Sequence, residues 1–318
     1  MTARTDPTPS ISSSLSDLEV RRGTHSLAGS LWLPAVGRPR AAVLMWPGSG
    51  PSDRNNDAYF PPIRDHLLEG DVAVAAFDKR GVGGSDGDWR DADICDQADD
   101  ARAIVDRLRT LDQLLGAPIG LFGHSQGGWV VVETGARDHR LAFVVSNSGP
   151  GVTPAQQERY ATLRGAQRDG LTRYETERLL ADYDALGELL RGVDAPGDVR
   201  RLISARLGPP SRLRALARYA SVPEDDREWT FMRRILDHDP APALKRITCP
   251  LLALFGSNDE LTPVAESMAI YRDARKGRAG LTVHVFPGAD HRCQVGDPPW
   301  MAPRYFELLL GWIVDVID

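Results

Sequence analysis

The sequence contains short, almost uninterrupted apolar runs, and each is separated from the next by residues with the apolar spacing of a helix. Such runs are typical of strands buried on both faces, because a strand with one wet face alternates apolar and polar residues. Strands that alternate with helices are joined by crossovers, which place them parallel in one sheet. The predicted strands cover residues 41–46, 71–77, 118–122, 141–146, 250–255 and 281–286. The sequence therefore predicts an α/β fold with a mainly parallel central sheet and flanking helices.

The same patterns predict the helices and one edge of the sheet. Residues 18–22 and 30–33 are expected to pair as strands near a sheet edge, because charged residues alternate in the first of them. Apolar residues recur at helical spacing in several segments between the strands. These predicted helices cover residues 59–68, 94–115, 126–136 and 303–316.

The alternation of strands and helices divides the chain into four parts. Residues 1–16 are rich in Thr, Ser and Pro, and we expect a flexible N-terminal tail there. Residues 17–150 and 244–318 carry the strand pattern and form the two parts of one core. Residues 151–243 are charged, helical in pattern and interrupted by prolines. We expect this middle segment to be a helical cap inserted into the core.

Charge and cysteine usage exclude several functional classes. The net charge of −6 argues against a nucleic-acid partner, which would require a basic surface. Three cysteines, Cys95, Cys249 and Cys293, are far apart and form neither a disulfide framework nor a metal-binding spacing. No apolar run is long enough to cross a bilayer, and the N-terminus lacks the apolar segment of a signal peptide. We therefore expect a cytoplasmic protein without a membrane partner or a bound metal.

One glycine-flanked serine lies between a predicted strand and a predicted helix. Residues 123–127 read Gly-His-Ser-Gln-Gly, the G-x-S-x-G pattern in which a sharp turn exposes a serine hydroxyl. An ordinary glycine-rich turn would explain the glycines alone. The helix that begins at Gln126, however, directs free N–H groups and the positive end of its dipole at any negative charge near Ser125. We interpret Ser125 as a nucleophile.

A serine nucleophile needs a base and an acid that orients the base, and the sequence offers both after strands. Asp259 follows the strand at 250–255 and His291 follows the strand at 281–286. Loops at the carboxyl ends of parallel strands meet at one edge of a sheet, so these side chains are expected to lie near Ser125. Asp290 and Glu260 are alternatives for the acid. His124 is expected to shape the turn or the pocket, since adjacent residues on such a turn point apart.

With these residues in place, the sequence resembles serine hydrolases of the α/β-hydrolase superfamily, in their esterase and acyl-peptidase-like branch. Two further segments carry the resemblance, Gly48–Asn55 and Asp78–Ser85. The resemblance implies that Ser125 attacks a carbonyl, His291 transfers the proton, and Asp259 orients the imidazole. It also implies an oxyanion hole built from the backbone N–H groups of Gln126 and Ser49. The reaction needs no cofactor. Residues with a predicted role in substrate binding or loop support are Gly48, Gly50, Asp53, Arg54, Arg80 and His124.

The predicted function is hydrolysis of a carboxylic ester or thioester of a small-molecule acyl substrate through an acyl-enzyme. Acyl transfer, peptide or amide cleavage, a biosynthetic cyclase or lyase reaction, and non-catalytic ligand binding remain alternatives on the same fold. Arginines between residues 200 and 218 form either a solvated helix face with its own countercharges or an electropositive entrance for an anionic acyl carrier. The apolar final helix, with Trp312, Ile313 and Val316, packs either on the core or on a second subunit, which would make a homodimer.

Overall fold

A computed structural model describes residues 14–194 and 196–318. Its strands are β1 (Ser14–Arg22), β2 (His25–Leu33), β3 (Ala41–Trp46), β4 (Val72–Phe77), β5 (Ile119–His124), β6 (Val144–Asn147), β7 (Leu251–Gly256), β8 (Leu281–Phe286), β9 (Gln294–Val295) and β10 (Trp300–Met301). Its helices are α1 (Phe60–Glu69), α2 (Ile94–Leu108), α3 (Gln126–Arg137), α4 (Pro154–Arg168), α5 (Arg173–Gly192), α6 (Val199–Leu207), α7 (Pro210–Ala217), α8 (Asp226–Ile235), α9 (Ala241–Arg246), α10 (Val264–Ala274) and α11 (Tyr305–Ile317).

Eight strands form one sheet in the order β1-β2-β4-β3-β5-β6-β7-β8. Strands β3 to β8 are parallel to their neighbours within this set, whereas β1 and β2 are antiparallel additions at one edge. The predicted α/β fold with a mainly parallel sheet and flanking helices is therefore confirmed. Because the parallel strands share one direction, the loops after β3, β4, β5, β7 and β8 emerge at the same edge of the sheet.

The apolar runs reflect burial of the sheet on both faces. In β3, Ala42, Leu44 and Trp46 belong to a core cluster with residues of α2, α3, α9 and α10. The alternate residues of β3 belong to a second cluster with residues of α1 and α11. All six β3 side chains are buried. A strand covered by helices on both sides has no solvent-facing positions, and this explains the absence of polar alternation.

The helices α4 to α8 lie between β6 and β7 and share an apolar cluster of their own. Leu186 of α5, Ile203 of α6, Leu216 of α7 and Trp229 of α8 are all buried in it. The interval predicted as an insertion extends to residue 243, but α9 packs with the sheet, since Ala243 belongs to the core cluster. Among the described residues, no helix combines the length and apolar character needed to span a membrane.

Several predicted boundaries differ from the structure, and one strand pair was not predicted. The predicted tail at residues 1–16 overlaps β1, because Ser14, Leu15 and Ser16 pair with β2; residues 1–13 lie outside the described residues. The helix predicted over 94–115 ends at Leu108, and residues 112–114 form a short 3-10 turn that leaves Leu115 exposed. The chain has to turn back toward β5, which ends the helix about two turns early. The short strands β9 and β10 were not predicted.

The final helix α11 packs on the same chain. Its Ile313 is fully buried in the core cluster beside α1, and the Trp312 indole donates a hydrogen bond to Thr282 Oγ1 at 3.0 Å. Of the two alternatives for this helix, the core accounts for its apolar side chains. A homodimer stays a prediction.

Candidate active site

Ser125 lies on a sharp turn between β5 and α3. Its backbone angles are φ 55° and ψ −120°, a conformation that strains any residue with a side chain. A Cβ at Gly127 would collide with the carbonyl oxygens of Trp46 and Pro47, and a Cβ at Gly123 would collide with the carbonyl oxygen of Gly127. Gly127 therefore lets the turn approach β3 closely, and Gly123 lets α3 pack against the end of β5. The strained serine is the geometry typical of an exposed nucleophile.

Asp259 and His291 are brought together at the same edge of the sheet. His291 Nδ1 is 2.8 Å from Asp259 Oδ2. The other oxygen, Oδ1, accepts the backbone N–H groups of Leu261 and Thr262, both at 2.8 Å, which holds the buried carboxylate in place. Because a carboxylate can only accept a hydrogen bond, Nδ1 carries the imidazole proton. Nε2 of a neutral His291 is left with its lone pair available for a proton.

The two alternative acids have other partners. Asp290 Oδ1 accepts the backbone N–H groups of Arg292 and Gln294, at 2.8 and 2.9 Å, and stabilises its own turn. Glu260 accepts a hydrogen bond from Arg168 at 2.8 Å. Within the described residues, Asp259 is the carboxylate that pairs with His291.

His124 is buried beneath the turn, and its protonation state follows from its neighbours. Asn56 Oδ1 accepts the Gly48 N–H at 3.1 Å, so the amide nitrogen of Asn56 must face His124 Nδ1, 2.9 Å away. His124 Nδ1 is therefore an acceptor, and the proton lies on Nε2. Burial lowers the pKa of His124 well below its ordinary value, and the neighbouring His291 and Arg292 side chains lower it further. His124 is a neutral support for the turn, with its ring centroid 5.2 Å from that of His291.

Lys79 connects the two loops that carry the predicted oxyanion donors. Its buried ammonium donates to the carbonyl oxygens of Gly48 and Gly50, the second at 3.4 Å, and to Gln126 Oε1 at 2.8 Å. Burial lowers the pKa of Lys79 to about 7. Sequence analysis missed this residue, although a signal was present: Lys79 is one of 3 lysines among 38 basic residues. A lysine in a chain that otherwise uses arginine indicates a position where the compact ammonium matters.

Arg54 and Arg80 are held by buried acids. Arg54 donates three hydrogen bonds to Asp78, through its backbone N–H and its guanidinium, at 2.7 to 3.1 Å. Burial opposes ionisation of Asp78, but these hydrogen bonds prevail and lower its pKa. Arg80 forms a bidentate pair with Asp100 at 2.7 and 2.8 Å. These contacts favour loop support for both arginines.

Asp53 accepts the N–H of Asn55 at 3.0 Å within its own turn. Loop support therefore accounts for its contacts as well.

A cavity of about 730 Å³ opens above Ser125. Its lining includes Ser49, Gly50 and Gln126 beside the serine, and residues of the helices between β6 and β7 on the opposite side. Gln126 is the first residue of α3, so its N–H has no partner within the helix. The described residues show no hydrogen bond between Ser125 Oγ and His291, a contact that often tightens only when substrate is bound.

Two remaining sequence hypotheses receive an ordinary explanation. Burial raises the pKa of Cys293 to about 12, so its thiol is protonated and unreactive at neutral pH. Four of the arginines between residues 200 and 218 form ion pairs with neighbouring acids, namely Arg200–Glu224, Arg206–Glu188, Arg212–Asp182 and Arg218–Asp169. This stretch is a surface with its own countercharges, which argues against an electropositive entrance.

Comparisons with known proteins show relatives in sequence and in fold. A curated relative, a polyketide transferase from Penicillium, is 25% identical over 231 residues, which is 69% of this chain and 75% of the relative. An esterase from Pyrococcus furiosus has a similar structure, with a TM-score of 0.64, 17% identity and coverage of 99% of this chain and 96% of that chain. A proline iminopeptidase from Mycobacterium smegmatis gives a TM-score of 0.62 at 18% identity, covering 95% of this chain and 99% of that chain.

These structures share the fold, and the family assignment comes from the sequence itself. The profile of the Alpha/beta hydrolase family matches residues 43–304, which run from β3 to the start of α11 and include Ser125, Asp259 and His291. With the parallel sheet and the turn after β5 already described, the match leads to one conclusion: the chain belongs to the Alpha/beta hydrolase family.

Proposed function

We propose that the protein is a serine hydrolase that cleaves a carboxylic ester or thioester through an acyl-enzyme. The observation that carries the proposal is the 2.8 Å hydrogen bond between His291 and Asp259 at the sheet edge where Ser125 occupies its strained turn. A nucleophile, a base and an orienting acid in the chain order Ser, Asp, His are the parts that acyl transfer to serine requires.

In the first half of the reaction, Ser125 Oγ attacks the substrate carbonyl carbon and its proton passes to His291 Nε2. Asp259 keeps the proton of Nδ1 in place and stabilises the imidazolium that forms. The N–H groups of Gln126 and Ser49 hydrogen-bond the oxyanion, an interaction of the kind that contributes about 10²–10³ in rate per donor. Lys79 contributes indirectly, because its bonds to Gly48, Gly50 and Gln126 fix the loops that carry these donors.

The second half of the reaction reverses these proton movements. Collapse of the tetrahedral intermediate breaks the bond to the alcohol or thiol, and His291 protonates that leaving group. Water then attacks the acyl carbon with His291 as base, which releases the acid and regenerates Ser125.

The helices between β6 and β7 act in this proposal as a cap. Two observations support this role: α4 to α8 have an apolar cluster of their own, and residues of α4 and α8 line the cavity that holds Ser125. A cap that closes over substrate excludes water and selects the acyl chain. The small-molecule acyl substrate and a cytoplasmic location are part of the same proposal.

The test is intact-mass labelling with a fluorophosphonate, which reacts with activated serines. The wild type should gain one adduct, and Ser125→Ala and His291→Ala should gain none, because one lacks the nucleophile and the other lacks the base. Ser211→Ala, at an exposed position of α7, is the control and should label like the wild type. An adduct that persists in Ser125→Ala would refute the nucleophile assignment.

Acyl transfer is a second candidate, favoured by the relative that is named a polyketide transferase. The same acyl-enzyme would then react with an alcohol or amine instead of water. Product analysis with competing alcohols distinguishes the two, because a transferase yields the new ester in preference to the acid at low alcohol concentration.

A further inference from the structure

The cavity above Ser125 has an aromatic wall that includes one carboxylate without a countercharge. Trp89, Trp129 and Phe231 contribute rings to the wall, and Trp89 packs edge to face on Phe231 with centroids 4.9 Å apart. Glu158 of α4 lines the same cavity. An aromatic cavity is well suited to an apolar acyl chain, but a carboxylate in it is costly unless something pairs with it.

Glu158 is hydrogen-bonded by Ser221 but has no countercharge. Oε1 accepts the backbone N–H of Ser221 at 2.7 Å, and the Ser221 side chain contributes a further hydrogen bond to the carboxylate. Within the described residues no basic side chain forms an ion pair with Glu158, and the adjacent Arg159 pairs with Asp184. The side chain is partly exposed because it borders the cavity, yet enough protein surrounds it that burial raises its pKa.

The other charged residues of the cavity lining each lie within ion-pair distance of an opposite charge. Glu224 pairs with Arg200 at 3.3 Å, Glu228 lies 3.9 Å from Arg90, and Arg218 pairs with Asp169 at 2.7 Å. Of the charged residues that line the described cavity, Glu158 alone lacks an opposite charge. A carboxylate without a countercharge at the wall of this cavity is a binding position for a cation.

We propose that the cavity takes acyl substrates that carry a protonated amine, and that Glu158 binds the ammonium group. This inference rests on the proposed hydrolase function and names its substrate class. An ammonium would donate to the Glu158 carboxylate and be attracted to the faces of the neighbouring aromatic rings. A purely apolar chain would instead leave the carboxylate desolvated and unpaired, which disfavours neutral substrates of the same length.

A structural role for Glu158 makes a different prediction. If Glu158 only held the Ser221 loop, an acceptor at Oε1 would be sufficient, and glutamine keeps such an acceptor. Glu158→Gln therefore removes the charge and retains the loop contact, so that a change in substrate preference reports on the charge.

The test compares two chromogenic esters of equal length, 4-nitrophenyl 6-aminohexanoate and 4-nitrophenyl heptanoate, at pH 7. In the wild type we expect kcat/KM to favour the amine ester by about tenfold or more, the discrimination typical of one buried polar contact. Glu158→Gln should lose most of that preference by lowering kcat/KM for the amine ester alone. Glu224→Gln, whose carboxylate is already paired, is the matched control and should keep the wild-type ratio. The proposal is overturned if Glu158→Gln keeps the wild-type ratio of kcat/KM for the amine ester to kcat/KM for the heptanoate. It is also overturned if the wild type prefers 4-nitrophenyl 6-hydroxyhexanoate to the heptanoate as strongly as it prefers the amine ester.

A binding measurement separates this inference from the proposed catalysis. The amide 6-amino-N-methylhexanamide is inert on the time scale of calorimetry and tests the site without turnover. Its dissociation constant for Ser125→Ala should be about tenfold lower than its dissociation constant for the double variant that carries both Ser125→Ala and Glu158→Gln. Equal binding refutes the cation site whatever the labelling shows, whereas selective binding without any fluorophosphonate adduct supports the site and refutes the hydrolase.

Discussion

The substitution Asp259→Asn probes the hydrogen bond that orients His291. In the wild type, Oδ1 accepts two backbone N–H groups at 2.8 Å and Oδ2 faces His291 Nδ1 at 2.8 Å. An asparagine must keep its oxygen toward the N–H groups of Leu261 and Thr262, so its NH₂ group faces Nδ1. Nδ1 then has to accept, and the proton moves to Nε2, where a lone pair is needed for Ser125. The variant keeps the shape of the site but holds His291 in the tautomer that cannot accept a proton at Nε2.

The size of the effect follows from how strongly the fold enforces that orientation. Turning the amide over would place an NH₂ group against two N–H donors and lose both hydrogen bonds, at a cost of about 1–3 kcal/mol for each unsatisfied group. The productive tautomer is therefore rare, and a preserved site with the wrong tautomer loses about 10⁴ in kcat, or roughly 5 kcal/mol of barrier. We expect this loss with little change in KM.

Steady-state hydrolysis of a 4-nitrophenyl ester, with thermal unfolding measured in parallel, tests the prediction. Asp290→Asn is the matched control, because Asp290 accepts only backbone N–H groups, and asparagine can accept the same bonds. The control should keep near-wild-type kcat. If Asp259→Asn retained more than about a tenth of kcat with an intact fold, the tautomer argument and the assignment of the acid would both be wrong.

Three further substitutions test the supports of the site. Lys79→Met should lower kcat about 10–100-fold by releasing the two loops, measured by ester hydrolysis. Because burial lowers the pKa of Lys79 to about 7, the folded protein gives up a proton that the unfolded chain holds to about pH 10. The wild-type free energy of unfolding should therefore rise between pH 7 and 9. The rise should be at most about 3 kcal/mol, because the oxygen acceptors around Lys79 favour its ammonium form. In urea denaturation, the free energy of unfolding of Lys79→Met should depend less on pH over the same range. Gly127→Ala should destabilise by at least about 2 kcal/mol, since its Cβ meets a carbonyl oxygen of β3, and a thermal melt like that of the wild type would contradict this. Arg80→Met leaves the buried Asp100 with Arg22, 3.2 Å away, as its remaining basic neighbour, and should lower the free energy of unfolding by about 3 kcal/mol in urea denaturation. A loss under about 1 kcal/mol would show that the Arg80–Asp100 pair contributes little.

The core of the fold could be predicted because burial leaves a strong local pattern. All six predicted parallel strands are present, and β8 has the predicted bounds, residues 281–286. The pattern failed where tertiary contacts decide the boundary. Leu111 and Leu115 continue the helical spacing of α2, yet the chain leaves the helix after Leu108 to reach β5.

The proposed catalytic residues could be selected from sequence because each follows a strand in a loop with its own motif. Two of their supports were missed. Asn56 accepts the Gly48 N–H within its own loop, and Lys79 donates to the Gly48 carbonyl oxygen of a different loop, so both act on backbone atoms whose positions depend on the fold. Glu158 is one acid among many on a charged helix, and only the cavity distinguishes it.

The sequence by itself determined the fold class, the strained turn at Ser125 and the chain order of serine, acid and base. Each of these is a local property, expressed as an apolar period or as a glycine that a close approach requires. Only the tertiary structure decided which of three carboxylates orients His291, which protonation state His124 holds, and which glutamate borders the cavity without a countercharge. Those choices depend on hydrogen-bond partners and burial supplied by segments far apart in the chain, and such partners exist only once the chain has folded.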